Sequence, residues 1–230
     1  MSDTESTLIT GTEHDLLDPF EVRVLAVLAE KEALTPDNYP LSLNALTNGC
    51  NQLSSRDPVM SLSESTVQDV VQRLIQRRYV SEVRQAGARV IKYEHRMRMK
   101  WVLEQDKLAI LTILMLRGVQ TAGEIRARSG RIHEFATVAD VEQGLQFLID
   151  KYPPLVARLA RAPGTKEVRY AHLLGGEGAV ERQESATSFS SAVEMPHQDR
   201  VTQLEDEVAK LRAEVERLSA QFEEFMKQFE

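Results

Sequence analysis

Along the first part of the chain, apolar positions recur at helical spacing, break, and recur again before the period drops to two. Val22, Leu25, Ala26 and Leu28 form one stripe behind Asp18, Pro19 and Glu21. That trio predicts a helix start, with an N-cap, a proline in the first turn and the acid of a capping box. A shorter helix is predicted after Ser42, with Leu43 and Leu46 facing inward. A third is predicted to begin near Ser61 and Glu64, another capping-box pair, and to bury Val67, Val70, Val71 and Leu74. Tyr79 to Arg84 and Arg89 to His95 then alternate as strands do, with Gln85-Ala86-Gly87-Ala88 as the turn between them.

The pattern then repeats. Thr66-Val67-Gln68-Asp69-Val70-Val71-Gln72-Arg73-Leu74 is echoed by Thr137-Val138-Ala139-Asp140-Val141-Glu142-Gln143-Gly144-Leu145, with Thr, Val, Asp, Val, Gln and Leu recurring in register. An apolar helix precedes each copy, Val22 to Leu34 and Leu108 to Val119. Ile91-Lys92-Tyr93-Glu94-His95 follows the first as Val168-Arg169-Tyr170-Ala171-His172 follows the second. In the second copy Thr121 and Glu124 cap the middle helix, and Arg161 to Lys166 supply the hairpin tip. Two units of one design are the economical explanation. Three helices and a hairpin make the winged helix-turn-helix arrangement. The expected fold is therefore mainly α with small β-hairpins, an α+β class: a winged helix at 18–100, a second at 101–174, and a disordered acidic segment at 1–17.

Specific blocks sit between the first and third helices of the first unit. Thr35-Pro36, Tyr39-Pro40-Leu41-Ser42-Leu43-Asn44, Cys50-Asn51-Gln52, Ser55-Arg56-Asp57-Pro58-Val59-Met60 and Leu62-Ser63-Glu64 resemble the YceH-like family of bacterial proteins, the likeness running from about Phe20 to about Leu174. The resemblance implies a tandem winged-helix fold and brings no assigned functional residue with it.

Beyond Gly175 the composition turns to Glu, Ser, Gln and Ala, which predicts a flexible linker over 175–200. Heptads follow at 201–230. Val201, Leu204, Val208, Leu211, Val215 and Leu218, continued by Phe222, Phe225 and Phe229, alternate spacings of three and four and predict a dimerising coiled coil. In a parallel pair Arg200 would face Glu205 of the other copy and Glu207 would face Arg212, both attractive; docking of this helix on the body or antiparallel pairing is the alternative.

Charge changes the picture only when counted by segment. The net charge is -7, yet 18–100 and 101–174 are each mildly basic and the acids gather at the two ends. Within 73–100, nine bases stand against Glu82 and Glu94. These bases fall on the end of the third helix and on the wing, where a duplex phosphate would be met. The candidate nucleic-acid residues are thus Gln68 and Gln72 as base readers, with Arg73, Arg77, Arg78, Arg84, Arg89, Lys92 and Arg96 on phosphate. Glu64 and Asp69 on the same helix argue for modest sequence specificity. The third helix of the second unit carries Asp140, Glu142 and Asp150, so that unit is expected to be structural, with Arg126, Arg128 and Arg131 clustered near its middle helix.

Other chemistry is sparse. Cys50 is the single cysteine and no two histidines stand at ligand spacing, so no metal, cofactor or disulfide is expected. Cys50 reads as a small buried residue, His95 and His172 as sharing a packing or hydrogen-bonding role, and Trp101 as packing between the units. No phosphate loop, paired-acid site or nucleophile motif is present, so the chain is expected not to be an enzyme. The N-terminus lacks a basic-then-apolar signal and the richest apolar run, Leu108 to Leu116, is too short to span a bilayer, so a cytoplasmic location without membrane attachment is expected. The resulting expectation is a homodimer that binds duplex nucleic acid through its first unit. The alternative is a scaffold whose winged helices dock on protein partners.

Overall fold

The computed structural model describes residues 16–84, 90–160, 167–176 and 178–180. By its internal contacts the chain divides into a unit spanning Met1–Glu184, which holds every described residue, and one spanning Ser185–Glu230. The predicted linker beyond 180 and the heptads of 201–230 lie outside the described residues, as do Arg89 and both hairpin tips.

Helix α1 (Pro19–Leu34) starts as its sequence dictates. The Asp18 carboxylate accepts from the amides of Phe20 and Glu21, both at 2.8 Å, and the Glu21 carboxylate accepts from the Asp18 amide at 2.9 Å. A 3-10 turn (Pro36–Asn38), strand β1 (Leu41–Ser42) and α2 (Leu43–Cys50) follow, the last capped by Ser42. Then come α3 (Glu64–Gln76), β2 (Val80–Val83) and β3 (Lys92–His95). A short helix α4 (Met97–Trp101) leads into the second copy: α5 (Gln105–Arg117), β4 (Gln120–Thr121), α6 (Ala122–Ser129), α7 (Val138–Ile149), β5 (Val156–Leu159) and β6 (Arg169–His172).

The two copies agree in register. Each sheet has three antiparallel strands, ordered β1-β3-β2 and β4-β6-β5. Leu41 pairs with Tyr93 as Gln120 pairs with Tyr170, and Val80 pairs with His95 as Val156 pairs with His172. The chain is thus of mixed α+β class. The two-residue strands β1 and β4 are too short to carry an alternation of their own and leave no sequence signal.

Three expectations are corrected in detail. Helix α3 is capped by Ser63, whose Oγ accepts from the Thr66 amide at 3.1 Å, two residues later than the Ser61 start. The repeated Thr plays two roles, because Thr137 is the N-cap of α7 while its counterpart Thr66 lies inside α3. Helix α3 therefore has almost one extra turn at its N-terminus. Val67 is consequently buried, whereas its counterpart Val138 is exposed. Finally, α1 is buried from Glu21 to Glu30 on every side, not along one stripe. It packs against α2, α3 and β3, and its contact with α5 is the most extensive between any two elements. Helix α5 is buried throughout from Leu108 to Leu116 for the same reason. A helix buried on all sides is a core helix, and each of its Val, Leu, Ile or Met side chains is worth about 1.5–3 kcal/mol of transfer free energy.

Burying whole turns of α1 also buries its charges, and each must find a partner or destabilise the fold. The side chain of Arg56 is fully buried and grips the Glu30 carboxylate bidentately at 3.1 and 2.6 Å. Its other donors reach the carbonyls of Gly49 and Ser55 and the Gln52 amide oxygen. Arg23 donates to the carbonyls of Cys50 at 3.0 Å and Pro58 at 2.6 Å. Asn51 closes the segment by exchanging two 2.8 Å hydrogen bonds with the backbone of Leu62. The Cys-Asn-Gln and Ser-Arg-Asp-Pro blocks are therefore the clamp that holds the long connection 51–63 against α1.

Close approach is needed as well. A methyl group at Gly49 would lie 2.5 Å from Val27 Cγ1, and at Gly144, in the second copy, 2.4 Å from Ile110 Cδ1. Each glycine lets a helix of its copy sit directly on the central one.

Candidate nucleic-acid interface

Helix α3 is amphipathic. Val67, Val70, Val71 and Leu74 face the core, and Glu64, Ser65, Gln68, Asp69, Gln72 and Gln76 face solvent. Both glutamines singled out as base readers are thus exposed on one outward face, in company with two acids.

The bases divide into two groups. Arg73 pairs with Asp18 at 2.7 Å and Glu21 at 3.4 Å, and Arg77 pairs with Glu21 at 2.9 Å and donates to the Leu16 carbonyl. These two guanidiniums tie the end of α3 to the first turn of α1, and Glu21 serves both as capping-box acid and as ion-pair partner. Arg84 meets Glu82 at 3.3 Å in an exposed pair, which contributes little. Among the described residues, Arg78, Lys92 and Arg96 carry no ion pair. Arg78 is exposed in the left-handed region, with φ of 60°. The Arg96 amide donates to the Tyr79 carbonyl at 2.7 Å, which sets Arg96 beside the turn that carries Arg78. Under this turn the buried Tyr79 ring has the Lys100 ammonium 4.0 Å from its centre and the Arg77 guanidinium at 5.3 Å. Trp101 is half-buried against Tyr79 at 5.6 Å, within the first copy.

The matched histidines diverge. His95 Nδ1 accepts from the Met97 amide and Nε2 lies 3.2 Å from Glu32, which Arg98 also contacts at 2.9 Å. The hydrogen bond from His95, aided by Arg98, holds the Glu32 carboxyl down to about 2 against the cost of burial. His172 is buried, and among the described residues its Nδ1 has no hydrogen-bond partner; burial alone pushes its pKa down to about 4. Cys50 is buried too, and its thiol is pushed up to about 12 by desolvation, the opposite of what an activated nucleophile needs.

In the second copy, Arg126 donates to the carbonyls of Phe135 and Ala136, and Arg128 to Gln120 and Glu124. Arg131 is exposed without an ion pair among the described residues. Helix α7 presents Glu142, Gln143, Gln146, Phe147 and Asp150 to solvent. The Lys107 and Lys151 ammoniums lie near the Phe147 ring, at 5.4 and 5.0 Å. Among the described residues no cluster of His, Cys, Asp or Glu could hold a metal, and no helix is long and apolar enough to cross a membrane.

The buried Arg23, Glu30 and Arg56 network was not anticipated. Its signal was the presence of two charges, Arg23 and Glu30, inside an otherwise apolar helical pattern.

Comparison with known proteins agrees with the resemblance seen in the sequence. A family model described as a protein of unknown function, DUF480, matches residues 17–165. A UPF0502 protein of Herminiimonas arsenicoxydans is 66% identical over 210 residues, covering 88% of this chain and 89% of its own. A UPF0502 protein of Janthinobacterium sp. (strain Marseille) is 65% identical over 205 residues, covering 89% and 88%. One from Azoarcus sp. (strain BH72) is 58% identical over 165 residues, covering 72% and 73%.

Proposed function

The chain belongs to the DUF480 family of proteins of unknown function, and within it we propose a dimeric tandem winged-helix protein that binds duplex nucleic acid through its first copy. Helix α3 would lie along a groove, with Gln68 and Gln72 toward base edges and Arg78, Lys92 and Arg96 on phosphates. The observation that carries the reading is the pairing of an outward polar face on α3 with three bases that form no ion pair among the described residues. The order of helices and strands in each copy supports the winged-helix assignment, with 18–100 and 101–174 as its two domains. Self-association rests on the heptads of 201–230 alone. Val208→Asp combined with Leu211→Asp should give a monomer by light scattering, and an unchanged mass would remove the tail from the assembly.

Binding is tested by fluorescence anisotropy of a labelled duplex across a salt series. Three phosphate contacts give a slope of about -2.7 in log affinity against log salt, or roughly fortyfold weaker binding between about 50 and about 200 mM. Arg78→Ala with Arg96→Ala should flatten the slope by about 1.8. Gln68→Ala and Gln72→Ala should change sequence preference at constant slope. No binding at low salt to several duplexes or single strands would refute the reading.

A scaffold that docks on proteins is the second reading. It is favoured by the second copy, where Phe147 is 42% exposed and Tyr152 wholly exposed beside an acidic α7. Capture of the same protein partners with and without nuclease would support it.

A further inference from the structure

Where the first turns of α1 meet the connection 51–63, α5 and the end of β6, a partly open cavity of about 300 Å³ lies between the two copies. Leu17, Val22, Met60 and Met115 give it apolar walls, and Arg23 and His172 give it its buried polar ones. These two carry buried atoms that have no hydrogen-bond partner among the described residues, Arg23 Nε and His172 Nδ1. Arg23 is only 2% exposed, yet its partners are two neutral carbonyls, and among the described residues no carboxylate forms an ion pair with it. The charge that acts on it most strongly is another cation, Arg56, and the acids Asp57 and Glu30 act on it more weakly, Glu30 being already engaged by Arg56. A buried cation without a counter-ion is costly, and an anion delivered to the same wall removes that cost.

We propose that this cavity binds a small monocarboxylate with an aliphatic body, its carboxylate accepting from Arg23 Nε and His172 Nδ1. A neutral histidine can donate from Nδ1 in one of its tautomers. Burial pushes the His172 pKa down to about 4, so this ring meets the ligand uncharged near neutral pH, and Arg23 supplies the positive charge. Two acids also border the space. Asp18 is neutralised by its cap amides and by Arg73. Asp57 is exposed at the rim and selects against dianions such as phosphate. The volume is at the small end of the range for ligand pockets, which favours a short chain. The inference is independent of nucleic-acid binding.

The test is calorimetric titration of the full chain with hexanoate, hexanol and inorganic phosphate, followed by hydrogen exchange with saturating hexanoate. Hexanoate should bind one to one at concentrations below about 10 mM, with slowed exchange at 57–60 and 172–176, while hexanol and phosphate should not bind. His172→Phe removes the donor and Met60→Trp fills the space; each should weaken hexanoate about tenfold or more. If either variant is unfolded by circular dichroism, the exchange pattern of the unaltered chain decides. Absence of hexanoate binding, equal binding of hexanol, protection elsewhere, or undiminished binding by both folded variants would each overturn the proposal.

Discussion

Replacing Arg56 by Leu would remove every partner that Glu30 has except Lys31, which contacts it at 3.2 Å from a partly exposed position. The Glu30 carboxylate is only 7% exposed, so it would remain as a nearly dry, poorly compensated charge. Breaking a buried pair from one side costs about 3–5 kcal/mol. In a domain of this size that is a fall of roughly 10 °C or more in Tm. Glu30→Leu should cost a similar amount, because it strands the guanidinium. The double replacement should lose less than the sum of the singles by about 3 kcal/mol, since no buried charge is left alone. Urea denaturation followed by circular dichroism at neutral pH, run on all four proteins, measures the coupling. The pH dependence adds a second readout. Desolvation by itself would raise the Glu30 pKa, but hydrogen bonds and charge from Arg56, helped by Lys31, together lower it. A depressed folded value means stability that is present above the unfolded carboxylate range and is lost as pH falls through the folded one. Arg56→Leu should therefore flatten the acid limb of the stability curve. Strict additivity, to within about 0.5 kcal/mol, would refute the claim that this pair is what holds 51–63 to α1.

Glu32, held down to about 2 by His95 and Arg98, should stabilise the fold above about pH 4.5 and lose that contribution on acidification toward 2; Glu32→Gln should lack this step in acid titrations of stability. The Cys50 thiol, buried and pushed up to about 12, should resist thiol reagents until the chain opens, so its labelling rate should follow urea; fast labelling of the native protein would contradict the packing. Gly144→Ala should destabilise by about 1–3 kcal/mol because its methyl meets Ile110 Cδ1, and Ile110→Ala in the same chain should recover part of the loss relative to Ile110→Ala alone in a double-mutant cycle by chemical denaturation.

What could be read from the sequence was what is local. The capping boxes at Asp18 and Thr121, the buried positions of α3 and the paired strand segments all depend on residues within one turn or one hairpin of each other. Misreadings arose where the decisive partner was distant. Ser61 reads as the start of the third helix, but Ser63 caps it, a choice set by how 51–63 folds. For Arg73 and Arg77 the sequence did not show the acids they pair with, which sit at the start of α1, more than fifty positions away. Arg23 and Glu30 find their partners in Arg56 and in the carbonyls of Cys50 and Pro58, all at least twenty-six positions away in sequence. The repeat led His95 and His172 to be treated alike, but identical strand positions do not ensure identical neighbours.

The burial of α1 on all sides has a consequence in time as well as in space. Synthesis completes α1 at Leu34, but α5, which covers one of its faces, ends only at Arg117. At about 5–20 residues per second, the interval is roughly 4–17 s. During it the nascent chain holds a core helix with an uncovered face, a binding surface for a chaperone and a point of vulnerability that disappears once translation has passed α5.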